Sequence, residues 1–560
     1  MSERSGGRVV VDLLRAEQVR YIFGIVGATF LDVLDALYDD RSIEYINVRH
    51  EQAAAFMADG LARVTGRPGV CLVTSGPGAT NLLTGVAAAH VAHSPVISLV
   101  GGVERVHQGR DAFQDYDLVG MFRPVTKLAV QVNQPDRIAE TLRAALRTAM
   151  SGRRGPVLVE IPRDVLSARV PATAPLAPEH YRVTHPPAAH PESIREGTRL
   201  VRQAQRPLLL VGGGVNWAAA GDLVVRLSEQ YAIPMITAYG RNDAVPNAHP
   251  LYIGPLGRAG SPEAAAACRR ADLLLVVGSR LGHFTTHFDD RYITRETSIV
   301  QIDVDGRDIG RYYPVAVGIQ ADAREACQAL LDVLARDGAK PASPDWRREV
   351  ETLRAQRQAR LAAEAGLTAS PIKPQRVYAE LRRALPPDTI VALDAGAAPA
   401  YGYDRLHFSH PRTFLTPLDL GGLGFAFPAA LGAKLGRPQA PVLAIHGDGG
   451  FLMNAQEIET AVRHEINVVT LVMNNNCWGS EKAYQREFFG GRYIGCDIGN
   501  PRYDAYARLF GAAGFHVEHP DQVGDAVRAA FGAGKPAIVE IPVDPDELPT
   551  PVAAIRRPEP

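Results

Sequence analysis

Cysteine is scarce in this chain of 560 residues. The five cysteines, Cys71, Cys268, Cys327, Cys477 and Cys496, are odd in number and lie far apart. Their spacing fits neither a metal-ligand set nor a disulfide framework, which favours a reducing compartment. Net charge is almost absent, at −1, so nothing electrostatic points to nucleic acid or to an anionic membrane surface. No stretch reaches about 18 uninterrupted apolar residues, so no membrane span is expected. The first residues, MSERSGGRVVVDLLRAEQ, are charged and lack a long apolar core, so no secretory signal is expected either. Together these absences predict a cytoplasmic protein. Nor does any G-x-G-x-x-G close a strand with an acidic residue about 20 positions on, the mark of a nicotinamide-dinucleotide site.

What is present is ordinary for a globular chain, with 46% hydrophobic and 22% charged residues. The length suggests roughly three or four domains. Up to about residue 170, short apolar strands alternate with helices. Tyr21 to Gly27 reads as a strand and turn, Ile43 to Val48 as a strand leading to His50-Glu51, and Gln52 to Thr65 as an Ala-rich helix stopped by Gly66-Arg67-Pro68. Gly69 to Thr74 is a fully apolar strand ending at Ser75-Gly76-Pro77-Gly78. Residues 171–195 are rich in Pro and Ala without periodicity and read as a linker. A second region, 196–335, places Gly212-Gly213-Gly214 after the strand Pro207 to Val211. Residues 337–373 read as a second connection, part helical from Trp346 to Ala365, and a third region spans 374–545. The pattern predicts an α/β chain of three domains, each a mainly parallel sheet flanked by helices. The Pro-rich tail from Asp544 onward is expected to be extended.

The most informative stretch runs from His446 to Gly479. A β-rich run, Pro441 to Ile445, breaks at Gly447-Asp448-Gly449-Gly450. A helix-like segment follows, with apolar residues at Leu452, Ala455, Ile458, Ala461 and Val462. A strand from Val468 to Met473 then enters Asn474-Asn475-Asn476. This βαβ unit sets an acid and an amide at the C-terminal edge of a parallel sheet, where such sheets bind ligands. The turn glycines let the backbone approach an anion at a helix N-terminus. Asp448 and Asn475 offer hard oxygen ligands that suit Mg²⁺ bridged to phosphates.

Asp448 and Asn475 at this spacing, His50-Glu51 opening a helix, Ser75 to Gly78, Asp111-Ala112-Phe113-Gln114 and Gly421 to Pro428 together resemble the acetolactate synthase-like family of thiamine diphosphate (ThDP) enzymes. The resemblance covers nearly the whole chain. It implies a pyrimidine-binding domain at 1–170, a middle domain at 196–335 and a diphosphate-binding domain at 374–545. It implies ThDP and Mg²⁺ as cofactors, with Asp448 and Asn475 as side-chain metal ligands and the Cys477 position supplying a backbone carbonyl. Gly447, Gly449, Gly450 and Gly479 fall in the cofactor motif. Gly421 matches the carbonyl that accepts from the aminopyrimidine, and Leu423 the apolar wedge that bends the cofactor. Phe113 and Gln114 match residues at its reacting end. Glu51 matches the carboxylate that bonds the aminopyrimidine and so promotes the C2 ylid, which attacks a 2-oxo acid such as pyruvate and hands an enamine to an acceptor. In the family this Glu comes from the partner subunit, so a homodimer or homotetramer with the active site at the interface is implied.

Plainer roles stay open for several of these residues: a helix-start carboxylate for Glu51, core packing for Leu423, a buried loop amide for Gln114. The chain also departs from acetolactate synthases. Ser480, Glu481 and Tyr484 stand where apolar residues and a Trp are expected. Glu481 is then either a second acid/base facing the reacting carbon or a helix-start Glu paired with Lys482 or Arg486. The run Trp478-Gly479-Ser480-Glu481-Lys482 resembles sulfoacetaldehyde acetyltransferases, and a Glu here also resembles 2-hydroxyacyl-CoA lyases. Ala397 and Ala398 replace a Gln-His pair near the diphosphate, leaving backbone amides and Mg²⁺ to hold it. For the middle domain the resemblance leaves FAD, a nucleotide portion of CoA, or no occupant, with Gly212 to Gly214 and Gly254 to Arg258 at the matching places. A ThDP-fold scaffold that has lost catalysis is a further alternative, against which the retention of Glu51, Asp448 and Asn475 speaks.

Overall fold

A computed structural model describes residues 3–549. Residues 550–560, most of the tail expected to be extended, lie outside the described residues. Long apolar strands buried on both faces dictate the architecture. Val442–Gly447, for example, is buried at every position but the last, as a parallel strand covered by helices must be. Among the described residues eighteen strands, the central ones of this kind, form three six-stranded sheets in which every pairing is parallel. The α/β expectation of three mainly parallel sheets is what the chain adopts.

The first sheet runs, in spatial order, Glu44–Asn47, Tyr21–Gly24, Gly69–Thr74, Val96–Gly102, Val157–Pro162, Leu128–Gln131. The third runs Phe414–Leu415, Ile390–Leu393, Val442–Gly447, Val469–Asn474, Ala537–Pro542, Ala513–His516. Counted along the chain within each domain, both orders are 2-1-3-4-6-5. Each therefore reverses between its first and third strands, which is where open sheets leave a crevice. The middle sheet, Tyr252–Pro255, Met235–Thr237, Pro207–Val211, Leu273–Val277, Ser298–Asp303, Val317–Gln320, has the order 3-2-1-4-5-6. That is the doubly wound order, with its switch point beside Gly212.

The first and third domains share one core, built on two crossing helices, Glu51–Thr65 and Ala426–Gly436. A Cβ on Gly60 would lie 2.0 Å from the Ala429 carbonyl, and one on Gly432 would lie 1.9 Å from the Met57 carbonyl. Only glycine lets the two backbones meet at that distance. Beside the crossing, buried Arg63 pairs with Asp59 at 2.6 Å and donates to the Thr416 carbonyl at 2.7 Å. Its guanidinium also stands 5.2 Å over the Phe425 ring.

Two local readings need correction. The segment 171–195 is not free linker throughout: Tyr181 and Arg182 both bond Glu17 of the first domain, and the helix Pro191–Gln203 already begins within it. The helix-like stretch after Asp448 is two helices, Asp448–Leu452 and Glu457–Arg463. The break falls where the Asn454 amide leaves the helix to bond the Gly424 carbonyl at 2.9 Å.

Candidate active site

The strands Ile390–Leu393 and Val442–Gly447 are neighbours at the switch point of the third sheet. Asp394 follows the first and Asp448 the second. Asp448 opens the short helix Asp448–Leu452 and is 2% exposed. Its Oδ2 accepts a 2.7 Å bond from Asn500 Nδ2, and its carbonyl accepts from the Tyr503 hydroxyl at 3.2 Å. Burial pushes its carboxyl above the usual range, against the Asn500 bond and the turn amides, which lower it.

The next strand, Val469–Asn474, delivers Asn475. The Asn475 side-chain amide reaches both Asp448 Oδ1, at 3.2 Å, and the Cys477 carbonyl, at 3.0 Å, and with its nitrogen inward it donates to both. With its oxygen turned inward instead, the same three groups offer the oxygen donors that a hard divalent cation takes. The residues therefore fit Mg²⁺, with Asn500 occupying the carboxylate oxygen that the metal would leave free. The loop beyond is braced from the far side: Trp478 N–H donates to the Cys496 carbonyl at 2.7 Å and Ile498 N–H to Asn476 at 3.0 Å.

Two glycines of the turn, Gly449 and Gly450, are required by what packs on them rather than by positive φ. A Cβ on Gly449 would lie 2.6 Å from the Trp478 ring, and one on Gly450 would lie 2.5 Å from Asp394 Oδ2. Asp394 is a fully buried junction. Its Oδ1 accepts from Phe425 N–H and its Oδ2 from Gly424 N–H, each at 3.0 Å. The same Oδ2 meets His446 Nδ1 at 2.9 Å, and neither side chain is exposed. Asp394 thus joins the strand before Asp448 to the loop that carries Gly421 and Leu423. In that loop Gly421 and Gly424 have φ of +64° and +76°. Leu423 is half-buried rather than a core leucine.

In the first domain, Glu51 is the first residue of its helix and is 7% exposed. Its Oε2 accepts from Asn81 Nδ2 at 3.0 Å. The backbone just ahead of it is held from the third domain. Glu457, fully buried, accepts from Arg49 N–H and His50 N–H, each at 3.0 Å. Gln114, at φ +65°, packs on Gly76 and meets Thr74 Oγ1 at 3.3 Å. Phe113 next to it is 87% exposed.

Three neighbourhoods therefore exist in one chain. Asp448, Asn475 and Cys477 stand together, with Gly447, Gly449, Gly450 and Gly479 around them. Gly421 and Leu423 are linked to that group through Asp394. Glu51, Phe113 and Gln114 belong to the first domain, and among the described residues no hydrogen bond joins Glu51 to Asp448, Asn475 or Leu423. Glu481, third in the helix Gly479–Phe489, is exposed and pairs with neither Lys482 nor Arg486. Lys482 instead lies 3.8 Å from Asp546 and over the Tyr493 ring, and Arg486 donates to the Asp546 carbonyl. Asn500, Tyr503, Asn81, Asp394 and Glu457 are contributors that sequence reasoning missed; none sits at a motif spacing.

Beside the middle domain a cleft of about 790 Å³ is lined by Gly213, Gly214, Trp217, Arg153, Arg154, Arg324, Asp303 and Asp322. No helix among the described residues is long and apolar enough to cross a membrane. All five cysteines are free and buried.

Comparison with known proteins places this geometry. Residues 4–121 match the thiamine pyrophosphate enzyme N-terminal TPP binding domain, residues 194–330 its central domain and residues 394–541 its C-terminal TPP binding domain. A probable acetolactate synthase large subunit of Methanocaldococcus jannaschii is 36% identical over 97% of this chain and 92% of its own. The acetolactate synthase large subunit of Haemophilus influenzae is 34% identical over 98% and 96%. A sulfoacetaldehyde acetyltransferase of Alcaligenes xylosoxydans xylosoxydans is 35% identical over 95% and 92%.

Proposed function

This chain belongs to the thiamine pyrophosphate enzymes, and from that membership we propose a Mg²⁺-dependent carboligase of the acetolactate synthase type that takes a 2-oxo acid such as pyruvate as donor. The observation that carries the proposal is the convergence of the Asp448 carboxylate, the Asn475 side-chain amide and the Cys477 carbonyl at a helix start. Bound ThDP supplies a carbon nucleophile and an electron sink.

The chain's own residues hold and prepare that group. Asp448, Asn475 and Cys477 would hold Mg²⁺, and with it the diphosphate. The Gly421 carbonyl would accept a hydrogen bond from the aminopyrimidine. Leu423, pinned through Gly424 between Asp394 and Asn454, would fix the bend of the cofactor, which is catalysis by orientation. Glu51 would hold a proton against the aminopyrimidine ring. Its carboxylate is turned to Asn81 of its own domain, which supports a homodimer in which each Glu51 completes the partner's site. Exposure of Phe113 at 87% supports the same assembly, since a large aromatic left bare is a natural contact for a second chain.

A second reading has its own support. Glu481 is free, exposed and close beyond Asn475, so it is available as an acid/base for a sulfoacetaldehyde or 2-hydroxyacyl-CoA substrate. The arginines and glycine backbone of the middle-domain cleft suit the phosphates of FAD or of a CoA nucleotide.

Incubation with pyruvate, ThDP and Mg²⁺ tests the first reading. Acetolactate or acetoin is expected, together with CO₂, and loss of turnover in Glu51→Gln. Absence of CO₂ release from any simple 2-oxo acid refutes the carboligase, and full activity in Glu51→Gln refutes the role of that carboxylate. Unchanged turnover of sulfoacetaldehyde in Glu481→Ala removes the second.

A further inference from the structure

Arg258 is a charge without a counter-charge among the described residues, in the lining of the same small cavity as Gly421. It follows the strand Tyr252–Pro255 of the middle domain, in a turn of unusual backbone: Gly257 has φ +99° and Ala259 has φ +53°. A positive φ at a non-glycine residue costs energy and persists where surrounding contacts enforce it. Here Gly257 lies against the Phe284 carbonyl, and Arg258 N–H donates to that same carbonyl at 2.8 Å. The guanidinium is laid 4.8 Å over the Phe284 ring, so its direction is set by stacking.

Arg258 and Phe284 both line a small cavity together with Tyr239, Tyr403, Asp394, Gly396 and Gly421. Among the described residues no carboxylate pairs with Arg258. Two carboxylates of the neighbourhood are committed elsewhere. Asp394 is spent on Gly424, Phe425 and His446. Asp419 bonds Arg280 at 3.0 Å and Phe284 N–H at 3.1 Å. The remaining polar groups are two stacked phenols, Tyr239 and Tyr403, with ring centroids 4.4 Å apart. Burial raises both of their pKa values, so they stay neutral. The cavity is about 30 Å³, room for about one or two oxygen atoms. It therefore takes no more than the tip of a molecule, such as one edge of an anionic group.

We propose that Arg258 is a specificity-determining residue that recognises an anionic group, a carboxylate or sulfonate, on the substrate that reacts at the cofactor. The proposal rests on the ThDP reading of Gly421 and its loop. A guanidinium stacked on a ring presents its donors in a fixed fork, which suits the paired oxygens of such a group. Arrival of such a substrate gives the guanidinium the counter-charge that the chain itself does not supply.

The test uses the holoenzyme with pyruvate as donor and two acceptors in competition, anionic pyruvate or sulfoacetaldehyde against neutral acetaldehyde. Arg258→Gln should lower the ratio of kcat/KM for anionic over neutral acceptor by about 10- to 100-fold, the usual worth of a charge-assisted bond. Arg258→Lys should recover part of that ratio. A ratio within twofold of wild type overturns the proposal. ThDP affinity is read in parallel from tryptophan fluorescence. A loss of ThDP affinity in Arg258→Gln with an unaltered acceptor ratio assigns the guanidinium to the cofactor's diphosphate and overturns the proposal as well. Should wild type show no ThDP-dependent turnover, the carboligase reading fails by itself. Arg258 is then judged by calorimetry with unreactive sulfoacetate on protein loaded with ThDP and Mg²⁺. Binding that is lost in Arg258→Gln supports the assignment; equal binding by both proteins refutes it.

Discussion

Replacing Asp394 by Ala should loosen the cofactor loop before it loosens anything else. Asp394 accepts from three buried donors: Gly424 N–H and Phe425 N–H at 3.0 Å, and His446 Nδ1 at 2.9 Å. Each donor left without a partner costs about 1–3 kcal/mol. The loop keeps one tie, the 2.9 Å bond from Asn454 to the Gly424 carbonyl. Asn in place of Asp retains one accepting oxygen but turns an NH₂ toward N–H donors, so it should cost about half as much as Ala. The suitable assay is local. Hydrogen exchange at the Gly424 and Phe425 amides reports the bonds themselves, and about 1.4 kcal/mol corresponds to tenfold in rate. Exchange should therefore accelerate by about 10- to 100-fold in Asp394→Ala. ThDP affinity should fall in parallel, because Leu423 no longer stands at a fixed position. Exchange within threefold of wild type would refute the reasoning, and so would accelerated exchange with unaltered ThDP affinity.

Other expectations follow from single contacts. Gly60→Ala and Gly432→Ala attack one crossing from opposite sides, with carbonyls at 2.0 and 1.9 Å. Each should destabilise by about 1–3 kcal/mol in urea unfolding, and the double variant by clearly less than the sum. Burial raises Glu457 from 4.5 to about 7, so the unfolded chain ionises first and the stability it leaves to the fold declines between those pH values. Glu457→Gln cannot ionise and should stay flat there, so the wild-type curve should lose about 3 kcal/mol relative to it across that window; parallel curves would contradict the burial argument. Trp478 packs on Gly449 within the Gly447–Gly450 turn, so on the proposed reading removing Mg²⁺ with a chelator should reverse the fluorescence change that ThDP produces. That change should be absent in Trp478→Phe, and its persistence would place the reporter elsewhere.

The strand ends were readable because a parallel sheet writes its interior as continuous apolar runs. Gly447-Asp448 and Asn474-Asn475 terminate two such runs, so an acid and an amide at one sheet edge could be deduced from order alone. Edge strands such as Leu128–Gln131 and Val317–Gln320 escaped, since they are short and half-exposed and carry no unbroken apolar run. Glu457 bonds backbone amides 408 and 407 positions away, and no local pattern encodes such a contact. The same holds for Asn500. Its amide reaches Asp448 only because the loop of residues 490–500 folds back along Cys477 and Trp478. The interruption at Asn454 was invisible for a related reason: apolar spacing continues through it, and only the distant Gly424 carbonyl makes the helix break.

The matched strand orders of the outer sheets carry a consequence for how this molecule divides its labour. The crossing helices each follow the second strand of their own domain. They touch through Met57 with Gly432 and Ala429 with Gly60, two pairs set three residues apart in both helices. The chain is thus a tandem of one blueprint, folded face to face about a local twofold axis. Corresponding loops can be compared like paralogues. The segment entering the crossing helix carries Glu51 in one copy and Leu423 in the other. The turn after the third strand is Ser75 to Gly78 in one and Gly447 to Gly450 in the other. The two copies set different chemistry at the same sheet edge, a helix-start carboxylate at Glu51 in one and an acid beside an amide at Asp448 and Asn475 in the other. A small molecule with two unlike ends is what such a divergent pair is shaped to read.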